Sequence, residues 1–146
     1  MEVIMSQKPE MSDDLALQDR QVHTPAGLTN LCFPAGTMIC QENEPGERLY
    51  IIKSGLVAIK KHHEDQGVIL GYLGVGELFG EISLIQGNTR MASAWAVRDT
   101  ECLAMEEVDF RKRMAAADPF IQDVLGVLAR DLRSLASNLV NRKAGD

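Results

Sequence analysis

The sequence predicts a mainly β fold of the α+β class: an antiparallel sandwich or barrel followed by a C-terminal helical arm. Two observations support this prediction. Over residues 33–107, short runs rich in Ile, Val, Leu and Tyr alternate with turn signals about every ten residues, a pattern typical of antiparallel β-structure. After Val108, the apolar residues recur with a helical period instead.

The composition is that of one globular domain. The 146 residues are 45% hydrophobic and 25% charged, with a net charge of -6 and a pI near 5.1, and this length suits one domain with one core. The acidic balance argues against nucleic acid as a partner of this chain alone, because phosphate backbones require a basic surface. No apolar run is long enough for a membrane span, so we expect no membrane partner.

The cysteines and the N-terminus both favour a cytoplasmic location. Cys32, Cys40 and Cys102 are an odd number without CxxC spacing, so we expect reduced thiols that serve as small core residues. The first residues lack a basic start followed by a long apolar stretch, which argues against a secretory signal.

The elements can be assigned in order along the chain. Residues 1–30 are polar and weakly patterned, and we expect a flexible or partly helical tail there. The β-core occupies residues 31–107. Its turn signals fall at residues 34–36, 44–46, 54–55, 65–67 and 74–76, and the run ASAWAVRDTECLAMEE supplies two further strands joined at residues 98–99.

Residues 108–146 are predicted to form the C-terminal helices. VDFRKRMAAA is a short helix, after which Asp118 can cap and Pro119 can begin a long second helix. The apolar residues of the long helix are spaced alternately four and three positions apart, which is the a/d pattern of a coiled coil. These residues, called the seam below, are Ile121, Leu125, Leu128, Leu132, Leu135 and Leu139.

Two interpretations of the seam remain open. Amphipathic helices usually pack on their own domain, so the seam can cover the β-core of the same chain. A seam this regular, flanked by further apolar residues at Val124, Val127 and Val140, favours instead a homodimer through the C-terminal helix. The e and g positions offer few interhelical charge pairs, which weakens the second interpretation.

The stretch GELFGEISLIQGNTRMASA carries the main candidate site. A glycine-bounded turn followed by ELFGE can form a short helix whose N-terminal amides attract an anion. Arg90 adds a planar cation suited to phosphate, and Glu81 can accept a hydrogen bond from a neighbouring sugar hydroxyl. The alternative is a surface Glu–Arg pair that closes a turn and contributes little.

The same stretch resembles the phosphate-binding cassette of the cyclic nucleotide-binding domain family. Phe79-Gly80-Glu81, the run 82–85 and Arg90 followed by small residues match that cassette in order and spacing, and FPAGTMICQENEPGERLYIIKSGLVAI resembles the opening strands of the family. The resemblance extends over about residues 33–133. It implies a double-stranded, jelly-roll-like β-roll of eight strands with flanking helices, and a cyclic nucleotide bound in the roll.

The resemblance also implies a set of binding residues. Glu81 would bind the ribose 2′-hydroxyl, Arg90 the exocyclic phosphate oxygens, and nearby amides would complete the cradle. The implied ligand-binding residues are Gly80, Glu81, Ile82, Ser83, Arg90, Met91, Ala92, Val68, Leu70 and Leu73, and the implied lid residues of the long helix are Leu132, Leu135 and Ala136. The ligand would be cAMP, with cGMP possible, and no cofactor or metal is expected.

Two positions depart from the family pattern. The residue after the arginine is often Ala, Ser or Thr, but here it is Met91, which offers no hydroxyl to a guanine edge and therefore favours cAMP mildly. In the catabolite activator branch, polar residues of the C-terminal helix reach the adenine. Here Leu135 and Ala136 fall at that level, so the base would meet an apolar surface, or Ser134 and Ser137 would serve after a small rotation.

Three functional hypotheses follow. The first is a cAMP receptor that changes conformation and signals through an unknown protein effector or a missing effector domain. In the latter case the chain would be the regulatory half of a Crp/Fnr-like transcription factor without its DNA-binding domain, or of a kinase or channel, since no helix-turn-helix pattern follows the long helix. The second hypothesis is a non-binding scaffold. An enzyme is the third, and it lacks support because no nucleophile is paired with a base and His62 and His63 lie in a polar hairpin without a third metal ligand.

Overall fold

The computed structural model describes residues 23–145. Within this range, eight strands form two four-stranded antiparallel sheets that face each other, as the sequence predicted. One sheet has the order β1-β8-β3-β6 and the other β2-β7-β4-β5. The strands are β1 (Thr29–Phe33), β2 (Met38–Cys40), β3 (Arg48–Ser54), β4 (Val57–His63), β5 (Gln66–Leu73), β6 (Leu78–Phe79), β7 (Ser93–Ala96) and β8 (Thr100–Glu106).

The central strand β3 explains why the apolar runs alternate only loosely. Tyr50 and Ile52 enter the cluster between the sheets, where Tyr50 stacks on Phe79 with ring centroids 4.9 Å apart. Leu49 and Ile51 face the other way, into a second cluster beneath the helices. A strand covered on both faces is apolar at consecutive positions, so the two clusters account for the run LYII.

Three helices complete the described chain: α1 (Glu81–Gln86), α2 (Glu107–Ala115) and α3 (Pro119–Gly145). The predicted start of the long helix is confirmed, because Asp118 Oδ1 accepts a hydrogen bond of 2.8 Å from the Phe120 N–H. α3 packs on β4, β5 and α1 through a face that includes Ala129, Ala136 and Val140. None of the helices described has the length and apolar character needed to cross a bilayer.

The structure differs from the sequence-based expectations at two places, and a third expectation concerns residues that it does not describe. ELFGE is not one helix: Leu78–Phe79 pairs with β3 as strand β6, Gly80 takes φ 89°, and α1 begins at Glu81. β1 begins at Thr29, two residues inside the stretch expected to be tail, because it pairs with β8 over its full length. The remaining tail expectation, which concerns residues 1–22, lies outside the described residues.

The cysteines differ from one another in environment. Cys102 is fully buried, and burial raises the pKa of its thiol to about 11. Cys40 is half-buried and Cys32 is exposed. The expectation of three core cysteines was therefore wrong for Cys32, since β1 is an edge strand and turns this side chain outward.

Candidate functional site

A cavity of about 420 Å³ lies between the sheet of β4 and β5, the segment around α1, and α3. Its size is within the range of small-molecule binding sites. The strands contribute Cys40, Ile59, Leu70, Gly71, Tyr72, Leu73 and Ala94 to the lining. The cassette segment contributes Leu78, Phe79, Gly80, Glu81, Ile82, Ser83, Arg90, Met91 and Ala92, and α3 contributes Leu132, Leu135, Ala136 and Leu139.

The lining thus contains every residue predicted for the site except Val68. Val68 is buried but pairs with Lys61 near the β4–β5 hairpin, beyond an irregularity in the ladder. There Ile59 pairs with Gly71 and Lys60 with Ile69, which leaves Leu70 unpaired and shifts the register by one residue. Residues 70–73 all line the cavity, so Val68 is left out because it lies farther along β5, toward the hairpin.

Arg90 is held deep in the site. It is 5% exposed and its guanidinium donates hydrogen bonds to the carbonyls of Gly80 (2.9 Å) and Arg48 (2.6 Å) and to Ser83 Oγ (3.1 Å). Within the part of the chain that the structure describes, Arg90 forms no ion pair. Its charge is therefore available to an anion that enters the cavity.

Gly80 permits this placement of Arg90. Its φ of +89° is a left-handed conformation that disfavours side chains, and a Cβ there would lie 2.6 Å from an Arg90 terminal nitrogen and 2.9 Å from the Arg48 carbonyl. Glycine at this position both ends β6 and lets the guanidinium reach the backbone.

Glu81 presents an oxygen without a partner. Its Oε2 is buried and accepts no hydrogen bond from any described residue. Burial raises the pKa of this carboxyl, while the nearby Arg90 acts in the opposite direction with a smaller effect. A buried polar atom left unpaired is costly, so Oε2 indicates a place for a hydrogen-bond donor supplied from the cavity.

The two charged side chains define what the cavity can bind. Among the described lining residues, Arg90 is the one cation and Glu81 the one anion, and most of the others are apolar. A ligand that fits needs an anionic group for Arg90, a hydroxyl for Glu81 and an apolar part for the remainder. A nucleoside phosphate has these features when its base is bound without contacts to charged side chains.

Helix α3 closes the cavity with apolar side chains. Leu132, Leu135, Ala136 and Leu139 line it, whereas Ser134 is exposed and neither Ser134 nor Ser137 belongs to the lining. α3 therefore presents an apolar surface to the cavity.

Arg133 was missed by the sequence analysis. Its Nε donates to Gln86 Oε1 (2.6 Å) and a terminal nitrogen donates to the Thr89 carbonyl (2.7 Å), so α3 is tied directly to the segment before Arg90. Cys40, Tyr72 and Leu139 were also missed as lining residues. Cys40 and Tyr72 lie on strands whose pairing has a register irregularity that the sequence does not signal, and Leu139 belongs to the seam of α3.

The described residues offer no metal site. Among residues 23–145, no group of three or more His, Cys, Asp or Glu side chains could hold a metal ion. His62 is exposed, as expected for the hairpin, and its Nδ1 lies 3.5 Å from Glu42.

Comparison with known families gives one match over more than half of the chain. The family described as "Cyclic nucleotide-binding domain" matches residues 31–117. This range includes all eight strands except the first two residues of β1, and it includes the cassette with Glu81 and Arg90.

Two curated relatives are regulators or receptors named for cAMP. The "CRP-like cAMP-activated global transcriptional regulator" of Mycobacterium tuberculosis is 34% identical over 110 residues, which are 75% of this chain and 49% of the relative. The "Cyclic AMP receptor protein" of Thermus thermophilus is 38% identical over 102 residues, 69% of this chain and 47% of the relative. The chain therefore spans about half the length of these curated relatives.

Solved structures support the same fold. The EAL enzyme Bd1971 in its cAMP-bound form is similar with a TM-score of 0.70 and 30% identity, over 80% of this chain and 32% of that one. The cGMP-bound form of the same enzyme gives a TM-score of 0.68 at 30% identity, over 72% of this chain and 28% of that one.

Proposed function

The chain belongs to the cyclic nucleotide-binding domain family, and from this membership we propose that it is a cAMP receptor. cAMP binding in the cavity would alter the packing of α3, and the change would pass to a protein partner or to an effector domain. The chain spans about half the length of its curated relatives, so any activity assigned to the whole protein is likewise a proposal.

The observation that carries the proposal is the unpaired buried oxygen of Glu81. It lines the same cavity as Arg90, whose guanidinium has no carboxylate partner among the described residues. A cyclic nucleotide supplies both missing partners, since its phosphate is an anion and its ribose carries a 2′-hydroxyl beside that phosphate. A non-binding scaffold would leave an unsatisfied carboxyl and an uncompensated arginine in its interior, which is costly.

Calorimetric titration of the protein, freed of carried-over nucleotide, tests the proposal. We expect saturable binding of cAMP and weaker or equal binding of cGMP. A protein that releases no heat with either nucleotide, and whose thermal unfolding midpoint neither nucleotide raises, would contradict the receptor proposal.

The preference for cAMP rests on the residue after Arg90 and on the helix. Met91 lines the cavity without a hydroxyl, and the helix offers Leu135 and Ala136 in place of groups that could hydrogen-bond the guanine edge. Both curated relatives described above carry cAMP in their names. The related EAL enzyme, however, has been solved with cAMP and with cGMP, so both nucleotides belong in the titration.

The link from ligand to helix has two parts. Leu132 and Leu135 contact the cavity directly, while Arg133 ties the same turn of α3 to Gln86 and Thr89. A ligand shifts a conformational equilibrium only if it binds one state better. We propose that contacts from both the cavity and the cassette to one helical turn create this difference, because movement of either would move the helix.

We propose further that α3 pairs with α3 of a second copy. The β-roll takes the helix face of Ala129, Ala136 and Val140, and four seam residues remain largely exposed: Ile121 48%, Leu128 52%, Leu132 50% and Leu135 62%. Exposed leucines in a/d spacing along a helix of about 40 Å fit the surface of a second identical helix.

Paired lysine substitutions distinguish this dimer from a monomer. Ile121→Lys with Leu128→Lys places two charges on the seam without touching the cavity lining, and we expect light scattering to give half the wild-type mass. Ser134→Lys with Asn141→Lys adds the same charge at exposed positions outside the seam and should leave the mass unchanged. Equal masses for the wild type and the seam variant would exclude the seam as the interface.

We propose a receptor and not an enzyme. Glu81 and Arg90, the two charged side chains of the described cavity lining, both have a proposed role in ligand binding. The similarity to a third of an EAL enzyme is compatible with this view, since a binding domain can be one part of a larger protein.

A further inference from the structure

The segment that carries Arg90 is held by a largely buried ion pair whose two residues lie outside the cavity lining. Lys61 of β4 directs its Nζ to Glu42 Oε2 at 3.1 Å and donates a hydrogen bond of 2.7 Å to the Met91 carbonyl. The side chains of Lys61 and Glu42 are only 16% and 9% exposed. Neither residue lines the cavity, so the pair acts on the segment and not on a ligand directly.

Glu42 is itself fixed in place. Its Oε1 accepts a hydrogen bond of 2.8 Å from the His62 N–H, and its own N–H donates to Ser93 Oγ at 2.9 Å. The carboxylate therefore contacts Lys61 and the His62 amide of β4, while the Glu42 backbone is anchored to the start of β7. Largely buried ion pairs are a weak source of stability because both charges lose hydration, whereas they fix geometry well.

The peptide groups on both sides of Arg90 are also hydrogen-bonded to residues that do not line the cavity. The Arg90 N–H donates to the Glu44 carbonyl at 2.8 Å, and the Arg90 carbonyl accepts from the Asn43 N–H at 2.9 Å. With Lys61 on the next carbonyl, two successive carbonyls, those of Arg90 and Met91, are bound by groups outside the cavity.

The direction of these carbonyls sets the direction of the amides. In a trans peptide unit the C=O and N–H point in opposite directions, and no cis peptide occurs in the described chain. The N–H groups of Met91 and Ala92 therefore point away from Asn43 and Lys61. Since both residues line the cavity, this side of the chain is the one that an anion beside Arg90 would meet.

We propose that Lys61, oriented by Glu42, is a positioning residue for the anion-binding half of the cavity. It fixes the Met91–Ala92 peptide and with it the amides that complete the phosphate cradle. The inference rests on the proposed function, because the phosphate is that of the cyclic nucleotide. It adds a requirement for a lysine on β4 that contacts no ligand atom.

Lys61→Met tests this role by comparing a ligand that has a phosphate with one that lacks it. We expect cAMP affinity to fall about tenfold by calorimetry. The affinity for adenosine, measured by NMR titration, which reaches millimolar constants, should change less than twofold. Lys53→Met is the matched control, since Lys53 is exposed and faces Glu101 at 3.7 Å in the other sheet; both affinities should stay at the wild-type value.

A second variant and a second measurement distinguish a loss of positioning from misfolding of the Lys61→Met protein. Glu42→Gln keeps an acceptor for the His62 amide but loses the charge that orients Lys61, and we expect a smaller loss of cAMP affinity in the same direction. In nucleotide-free protein, the amide resonances of Met91 and Ala92 should shift in Lys61→Met and not in Lys53→Met.

The outcomes separate the two proposals. Equal losses for cAMP and adenosine, or unchanged cAMP affinity in folded Lys61→Met, would overturn the positioning role and leave the receptor standing. Binding of neither ligand by the wild type would overturn both.

Discussion

An Arg90→Ala protein should bind cAMP about a hundredfold more weakly than the wild type, a loss of roughly 3 kcal/mol. The reason is electrostatic: Arg90 is the one cation among the described lining residues, and it acts in a largely apolar cavity where water cannot replace it. Calorimetry at a temperature well below both unfolding midpoints measures the loss, because the substitution also removes the hydrogen bonds that Arg90 donates to the Gly80 and Arg48 carbonyls.

Two further variants show whether the loss is specific. Arg90→Lys keeps the charge but not the planar fork, so its affinity should lie between those of wild type and Arg90→Ala. Arg111→Ala removes an exposed arginine that pairs with Glu107 on α2 and should bind as the wild type does. Wild-type affinity in folded Arg90→Ala would mean that the anion binds elsewhere.

Glu81→Gln should weaken cAMP binding by roughly 10- to 100-fold at pH 7, since a charged acceptor for a hydroxyl becomes a neutral one. Burial raises the pKa of Glu81 above its usual value. The carboxylate that accepts a hydrogen bond from the hydroxyl is therefore lost as pH falls through this raised pKa, and the wild-type affinity for cAMP should decline in parallel. Glu81→Gln should be weak at every pH, with a flatter profile.

The stability of nucleotide-free protein should change in the opposite direction. A carboxyl whose pKa is raised on folding favours the folded state while it is protonated. Its contribution is complete below the unfolded value and is lost as pH rises through the folded pKa. Urea unfolding should show this loss in the wild type and not in Glu81→Gln, with the exposed Glu47→Gln as control. A wild-type profile that matched Glu81→Gln would contradict the assignment of a titrating carboxyl.

Much of the fold followed from local signals in the sequence. The turn signals placed the strand boundaries because glycine and proline act on the backbone where they stand. The start of α3 was equally local, since the Asp118 carboxylate reaches an amide two residues away. The start of α1 was not set by local signals, because Leu78 and Phe79 pair with β3, more than twenty residues earlier in the chain.

The candidate site likewise combines features set by neighbouring residues with features set by contacts between distant residues. The sequence by itself determined that Glu81, Arg90 and the glycines around them stand in one short segment, because these residues are neighbours along the chain. It predicted that this segment has the chemistry of a phosphate and ribose site. The tertiary structure alone decided what surrounds that segment. Val68 lies on β5 beyond the cavity lining, Arg133 joins α3 to the cassette, and Lys61 holds the Met91 carbonyl from a strand thirty residues away. Such contacts depend on register and on the approach of distant elements, and no local preference of the chain specifies either.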